Sequence, residues 1–122
     1  MARILLIDDD ALLRDVVRKY LSLAGHKVAI AIDGREAVQS FESGQFDLVI
    51  TDILMPEMDG LEVILRLRKK QSDIPILALS GGGRTRNMDV LHHAESFGAS
   101  ALLAKPFMPA ELLAIVDKLV RA

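Results

Sequence analysis

The sequence predicts an α/β fold in which a parallel sheet is covered by helices on both faces. Short apolar runs rich in branched residues alternate five times with longer stretches of helical period. The runs are nearly continuous in their apolar character, as strands buried on both faces are. Because parallel neighbours need a crossover, which is usually a helix, this alternation favours a doubly wound parallel sheet.

Each apolar run is too short to form a helix and is predicted to be a strand. The five predicted strands are residues 4–7, 28–31, 46–50, 74–79 and 100–104.

Between the runs, apolar residues repeat at three-to-four spacing, which predicts helices with one buried face. The repeats are clearest in residues 12–21, 61–67 and 112–120, and a shorter one occupies residues 37–41. A further helical stretch is expected before Gly98, so the sequence predicts five strand–helix units.

Capping residues agree with these boundaries. Aspartates are favoured at helix N-termini and glycines just beyond helix C-termini. The Asp33–Gly34 pair is also compatible with a hairpin turn, but the helical spacing that follows favours a cap. The expected caps are Asp10, Asp33 and Asp59, and the expected terminating glycines are Gly25, Gly44 and Gly98.

Length and composition narrow the class of protein. A chain of 122 residues is the size of one domain, and 51% hydrophobic with 26% charged residues is typical of a globular protein. The net charge of −2 gives no electrostatic reason to expect nucleic acid or an anionic membrane as a partner. The sequence contains no cysteine, which excludes disulfides and thiolate chemistry, and no segment resembles a signal peptide. We therefore expect a cytoplasmic protein.

Polar residues directly follow four of the five predicted strands. In open parallel sheets, ligands bind beyond the carboxyl ends of the strands, so these residues are expected to converge on one edge. Each has an ordinary structural explanation when taken alone, as a helix cap, a turn residue or a glycine-rich loop. Together they predict a functional site that contains Asp8, Asp9 and Asp10, Thr51 and Asp52, Ser80, and Lys105 with Pro106.

The segments ILLIDDD, LVITDILMPEMDG, LALS and LLAKPF carry a resemblance to a known family. Over essentially the whole chain, the sequence resembles a response-regulator receiver domain of two-component signalling. The resemblance implies a flavodoxin-like sheet with strand order 2-1-3-4-5 and five helices. It also implies that residues 1–122 form one receiver domain without an output domain.

The resemblance implies a role for each residue of the predicted site. Asp52 is expected to accept a phosphoryl group, Ser80 to donate its hydroxyl to that group, and Lys105 to supply a fixed positive charge. The carboxylates would repel phosphate on their own, so a hard divalent cation, Mg²⁺, is expected beside them. Its ligands would be the side chains of Asp8, Asp9 and Asp52 and the main-chain carbonyl of Leu54. The resemblance further implies a cis peptide bond between Lys105 and Pro106.

Some positions depart from the family pattern. Receivers commonly carry an aromatic residue three positions before the lysine, and Leu102 stands there instead. Leu54 and Gly82 occupy positions that tend to tune the lifetime of the phosphoryl group, and their expected effects oppose each other. The sequence therefore predicts no lifetime.

Three functions remain open at this point. The leading hypothesis is a signalling switch rather than an enzyme, phosphorylated by a sensor histidine kinase or a histidine phosphotransfer protein. Its output would be altered binding of an unknown protein target around the fourth helix, fifth strand and fifth helix, either as a stand-alone regulator or as part of a longer chain. The second is a receiver-fold interaction module that does not signal by phosphorylation. The third, a flavodoxin-like cofactor binder, is disfavoured because three aspartates would repel a flavin phosphate.

Overall fold

The structure is a computed structural model, and it describes residues 2–53, 60–71, 73–80 and 98–121. Five strands occur in these residues: β1 (Arg3–Ile7), β2 (Lys27–Ala31), β3 (Leu48–Asp52), β4 (Ile76–Ser80) and β5 (Ala101–Ala104). Four helices occur in the same residues: α1 (Ala11–Leu23), α2 (Gly34–Ser43), α3 (Gly60–Lys70) and α4 (Pro109–Arg121). The predicted helix before Gly98 lies outside the described residues, as does the predicted cap Asp59.

All five strands pair in parallel, in the order β2-β1-β3-β4-β5. The predicted fold class and strand order are therefore confirmed. None of the described helices combines the length and the apolar character needed to cross a bilayer.

Two hydrophobic cores lie on opposite faces of the sheet. Alternate residues of β1 divide between them, with Leu5 and Ile7 in one core and Ile4 and Leu6 in the other. The first core packs against α2 and α3, and the second against α1 and α4. Because the central strands are covered on both faces, every residue of β3 is buried.

The predicted caps fall where the helices begin and end. Asp10 accepts hydrogen bonds from the amides of Leu12 and Leu13 at the start of α1. Asp33 accepts one from the amide of Glu36 at 2.8 Å, so the pair it forms with Gly34 starts a helix and not a hairpin. Gly25 follows α1 with a φ of +94°, in the left-handed region that favours glycine.

The third strand lies two residues later than predicted. Residues 46–50 were expected, and β3 is Leu48–Asp52. Asp47 explains the difference. Its amide donates to the carbonyl of Arg3, and its carboxylate accepts from the amide of Arg3 at 2.8 Å. The side chain thus takes part in main-chain pairing before the strand begins.

Arg68 of α3 ties together the segments that lead into β4 and β5. Its guanidinium donates to the carbonyl of Gly98 at 2.7 and 3.0 Å, to the hydroxyl of Ser100 at 3.2 Å, and to the carbonyl of Ile74. Burial lowers the pKa of the Arg68 guanidinium, and the nearby Asp73 carboxylate partly offsets this. An arginine remains charged at any physiological pH, so these bonds stay charge-assisted.

Gly98 allows this close approach. Its φ is +116°, and a Cβ placed on it would lie 3.0 Å from Nε and 3.1 Å from Cγ of Arg68. A side chain at this position would therefore be strained by the positive φ and would crowd Arg68, whose side chain would have to shift.

We expect Arg68→Ala to lower the free energy of unfolding by about 2–3 kcal/mol, because several partly buried acceptors lose a charged donor. Arg68→Lys should recover only part of this, since one ammonium cannot reproduce the planar fork. Urea unfolding followed by circular dichroism measures both.

The matched control is Arg66→Ala on the same helix. Arg66 is exposed and pairs with Glu62 at 3.4 Å, so its loss should cost less than about 0.5 kcal/mol. Equal losses in the Arg66 and Arg68 variants would contradict the role assigned to Arg68.

Candidate functional site

The register of the sheet brings the ends of the strands to one level. Ile7 pairs with Thr51, so the next residues, Asp8 and Asp52, lie side by side at the edge of the sheet. The pairing of β4 with β5 ends at Ser80 and Ala104, and Lys105 follows directly. The convergence predicted from the sequence is therefore present for the described site residues.

Asp8 and Asp52 are buried, with 1% and 5% of their surface exposed, whereas Asp9 is exposed. Buried carboxylates are costly unless they are paired or bound to a metal. Asp8 accepts a hydrogen bond from the amide of Asp10 at 2.9 Å. This bond holds the turn between β1 and α1 in place.

Lys105 provides the positive charge at this edge. Its Nζ lies 3.2 Å from Oδ2 of Asp52 and 3.4 Å from Oδ2 of Asp8, so one ammonium pairs with both buried carboxylates. Its own amide donates to the carbonyl of Ser80 at 3.1 Å, which ties it to the end of β4. The peptide bond between Lys105 and Pro106 is cis, and that prediction is confirmed.

The carboxylates of Asp8, Asp9 and Asp52 form a cluster in which one oxygen from each lies within 4.8 Å of the others. Carboxylate oxygens are the ligands that hard divalent cations prefer. Among the described residues, Lys105 is the cation that forms ion pairs with these carboxylates, and one ammonium offsets only part of their negative charge. The donor set and its charge therefore fit Mg²⁺.

The remaining positions singled out from the sequence contribute less to the described geometry. Ser80 is half-buried at the end of β4, on the same edge as the carboxylates. Leu54 and Gly82 lie outside the described residues. Leu102, at the position where an aromatic was expected, is half-buried and packs against the core on the α2–α3 face.

The sequence reasoning did not include Arg14. Its Nη1 donates to the main-chain carbonyl of Asp8 at 3.0 Å, beside the carboxylate cluster. The available signal was a cation at the N-terminal end of a helix, where cations are usually disfavoured.

Comparison with known proteins agrees with the fold. The family model described as "Response regulator receiver domain" matches residues 4–117. A protein named response regulator MprA from Mycolicibacterium vanbaalenii is 41% identical over 123 residues, covering 98% of this chain and 50% of the relative. A protein of the same name from Mycobacterium ulcerans is 39% identical, with the same coverage. The chain thus spans about half the length of these curated relatives.

Solved structures give the same result. The chemotaxis protein CheY4 of Vibrio cholerae superposes with a TM-score of 0.88 at 33% identity, covering 98% of both chains. A putative response regulator from Chloroflexus aurantiacus superposes with a TM-score of 0.92 at 31% identity, covering 99% of this chain and 98% of the other. With sequence, strand order and superposition in agreement, this chain belongs to the response regulator receiver domain family.

Proposed function

We propose that this chain is a phosphorylation-controlled switch in which Asp52 accepts a phosphoryl group in the presence of Mg²⁺. The observation that carries the proposal is the placement of Lys105 against the carboxylates of Asp8 and Asp52, at 3.4 and 3.2 Å. A nucleophilic carboxylate, further acidic ligands and a fixed cation are what transfer to an aspartate requires.

In the proposed reaction, an oxygen of Asp52 forms a bond to phosphorus as the bond between phosphorus and a donor histidine nitrogen breaks. The electron pair of the broken bond stays on the imidazole, which leaves in its neutral form from a protonated phosphoimidazole. Attack of water on phosphorus later releases inorganic phosphate and restores the carboxylate. The chain thereby returns to its starting state, which makes it a switch and not an enzyme with a separate substrate.

The other site residues manage charge during this transfer. Bound Mg²⁺, held by Asp8, Asp9 and Asp52 with the carbonyl of Leu54, would neutralise the carboxylates and the phosphoryl oxygens. Lys105 would turn from the carboxylates to a phosphoryl oxygen. The hydroxyl of Ser80 would donate to another phosphoryl oxygen and draw the segment after β4 toward the site.

The proposed phosphodonor is a sensor histidine kinase or a histidine phosphotransfer protein in the cytoplasm. It must approach the edge that carries Asp52, and α1 presents apolar surface beside that edge, with Leu12 77% and Val16 40% exposed.

The proposed output is a changed surface for a downstream protein. This surface lies around the fourth helix predicted from the sequence, which precedes Gly98, together with β5 and α4. Because Leu102 replaces the expected aromatic, this change is proposed to proceed without the rotation of an aromatic ring. We propose that residues 1–122 act together as one receiver domain.

We expect beryllofluoride, a mimic of the phosphoryl group, to shift many amide signals of the isotope-labelled chain only when Mg²⁺ is present. Asp52→Asn should abolish this response, because it removes the acceptor carboxylate and one charge of the metal site. Two-dimensional NMR with and without MgCl₂ measures it.

Asp117→Asn is the control for this experiment, since Asp117 is an exposed aspartate of α4 that pairs with Arg121. Its response should equal that of the wild type. A response that needs no Mg²⁺, or that persists in Asp52→Asn, would overturn the proposal and favour an interaction module that does not use phosphorylation.

Removing Lys105 should have two opposite effects. Lys105→Ala is expected to raise the affinity for Mg²⁺ by roughly three- to tenfold, since a competing cation leaves the carboxylates. The same substitution should weaken the response to beryllofluoride at saturating Mg²⁺, because the fixed charge that faces the phosphoryl group is lost. NMR titrations measure both quantities.

Lys118→Ala removes an exposed lysine from α4 and should change neither quantity. Weaker Mg²⁺ binding in Lys105→Ala would show that Lys105 holds the carboxylates together more than it competes for them.

A further inference from the structure

Arg14 has an unusual position for an arginine. It lies near the start of α1, where the free amides of the helix carry partial positive charge and a cation is disfavoured by a few tenths of a kcal/mol or more. The first turn of α1 contains no acidic residue, and the N-cap carboxylate of Asp10 accepts from the amides of Leu12 and Leu13 instead of pairing with Arg14. Among the described residues, no carboxylate forms an ion pair with Arg14. An ion pair therefore does not explain its presence there, and the helix dipole does not favour it.

The contact that Arg14 makes is with the site. Its side chain is half-buried, and Nη1 donates to the carbonyl of Asp8 at 3.0 Å. That carbonyl belongs to the peptide unit between Asp8 and Asp9. Because a peptide unit is planar, fixing its oxygen fixes the direction in which Asp9 leaves the strand.

Every polar group of Asp8 is held by a different partner. Its amide donates to the carbonyl of Ala31 at 3.3 Å, and its carboxylate accepts from the amide of Asp10 and faces Lys105. The carbonyl is the remaining group, and Arg14 is its donor. Asp8 is thus restrained by β2, by the β1–α1 turn and by Lys105. The side chain of Arg14 restrains its last polar group.

From this geometry we infer that Arg14 is a positioning residue, which orients the Asp8–Asp9 peptide so that both carboxylates face Asp52 and can hold a divalent cation. Partners that orient the ligands of a metal typically contribute 10- to 100-fold to metal affinity. The inference rests on the proposed function, because it assumes that Mg²⁺ binds at this cluster.

Two effects of removing Arg14 have opposite signs, which makes the inference testable. If Arg14 acts only through its charge, Arg14→Ala removes a cation that repels Mg²⁺, and the affinity for Mg²⁺ rises. If Arg14 positions the peptide, the same substitution lets Asp9 move, and the affinity falls.

The experiment is an NMR titration of the isotope-labelled chain with MgCl₂, without phosphodonor or beryllofluoride. We expect Arg14→Ala to weaken Mg²⁺ binding about tenfold. Arg14→Lys, which keeps the charge and one donor, should recover part of the loss. Arg18→Ala is the matched control, because Arg18 is an exposed arginine one turn further along α1. It removes the same charge and should leave the affinity unchanged.

An affinity in Arg14→Ala that equals or exceeds that of the wild type would overturn the inference, as would an equal loss in Arg18→Ala. Should Arg14→Ala not fold, Arg14→Gln gives the same decision, since a fall in affinity supports positioning and an unchanged or higher affinity contradicts it. A wild-type chain that does not bind Mg²⁺ would overturn the proposed function together with this inference. A wild-type chain that binds while Arg14→Ala is unaffected would overturn the inference alone.

Discussion

Two buried carboxylates, those of Asp8 and Asp52, share the ammonium group of Lys105, and the rest of the site is built around these three charges. Burying an ionised carboxylate costs several kcal/mol unless nearby charge and hydrogen bonds compensate it. One lysine offsets only part of the charge of the cluster, to which Asp9 adds a third carboxylate. The edge of the sheet is thus left with an excess of negative charge that favours binding a cation over closer packing.

The two ends of the sheet contribute differently to the stability of the fold. At the carboxyl ends of the strands, like charges lie close together, and their repulsion opposes folding. At the amino ends, Arg68 and Gly98 tie α3 to the segments that precede β4 and β5. Between these ends lie two apolar cores, one on each face. The cores and the Arg68 contacts therefore supply stability that the charged edge does not.

Much of this architecture could be predicted because it depends on patterns that are local in the sequence. Apolar runs and helical spacing gave the order of the elements, and the rule for parallel strands placed Asp52 and Lys105 at one edge. The start of β3 was wrong by two residues, because the side chain of Asp47 pairs with the main chain of Arg3, a contact between distant segments. Arg68 and Arg14 escaped notice for a related reason. Both donate to main-chain carbonyls, and a sequence does not show which carbonyl a side chain will reach.

The sharing of Lys105 also bears on how the switch would reset. The ammonium of Lys105 contacts Oδ2 of Asp8 and Oδ2 of Asp52, and oxygens of those same carboxylates would be needed by a divalent cation. Lysine and metal are then competitors for part of one ligand set, so cation binding would weaken the hold of the carboxylates on Lys105. The freed ammonium could then turn to an incoming phosphoryl group. In the proposed cycle, the lysine would return to the carboxylates when phosphate and metal depart, so the resting state would keep a partial balance of charge without rearranging the sheet.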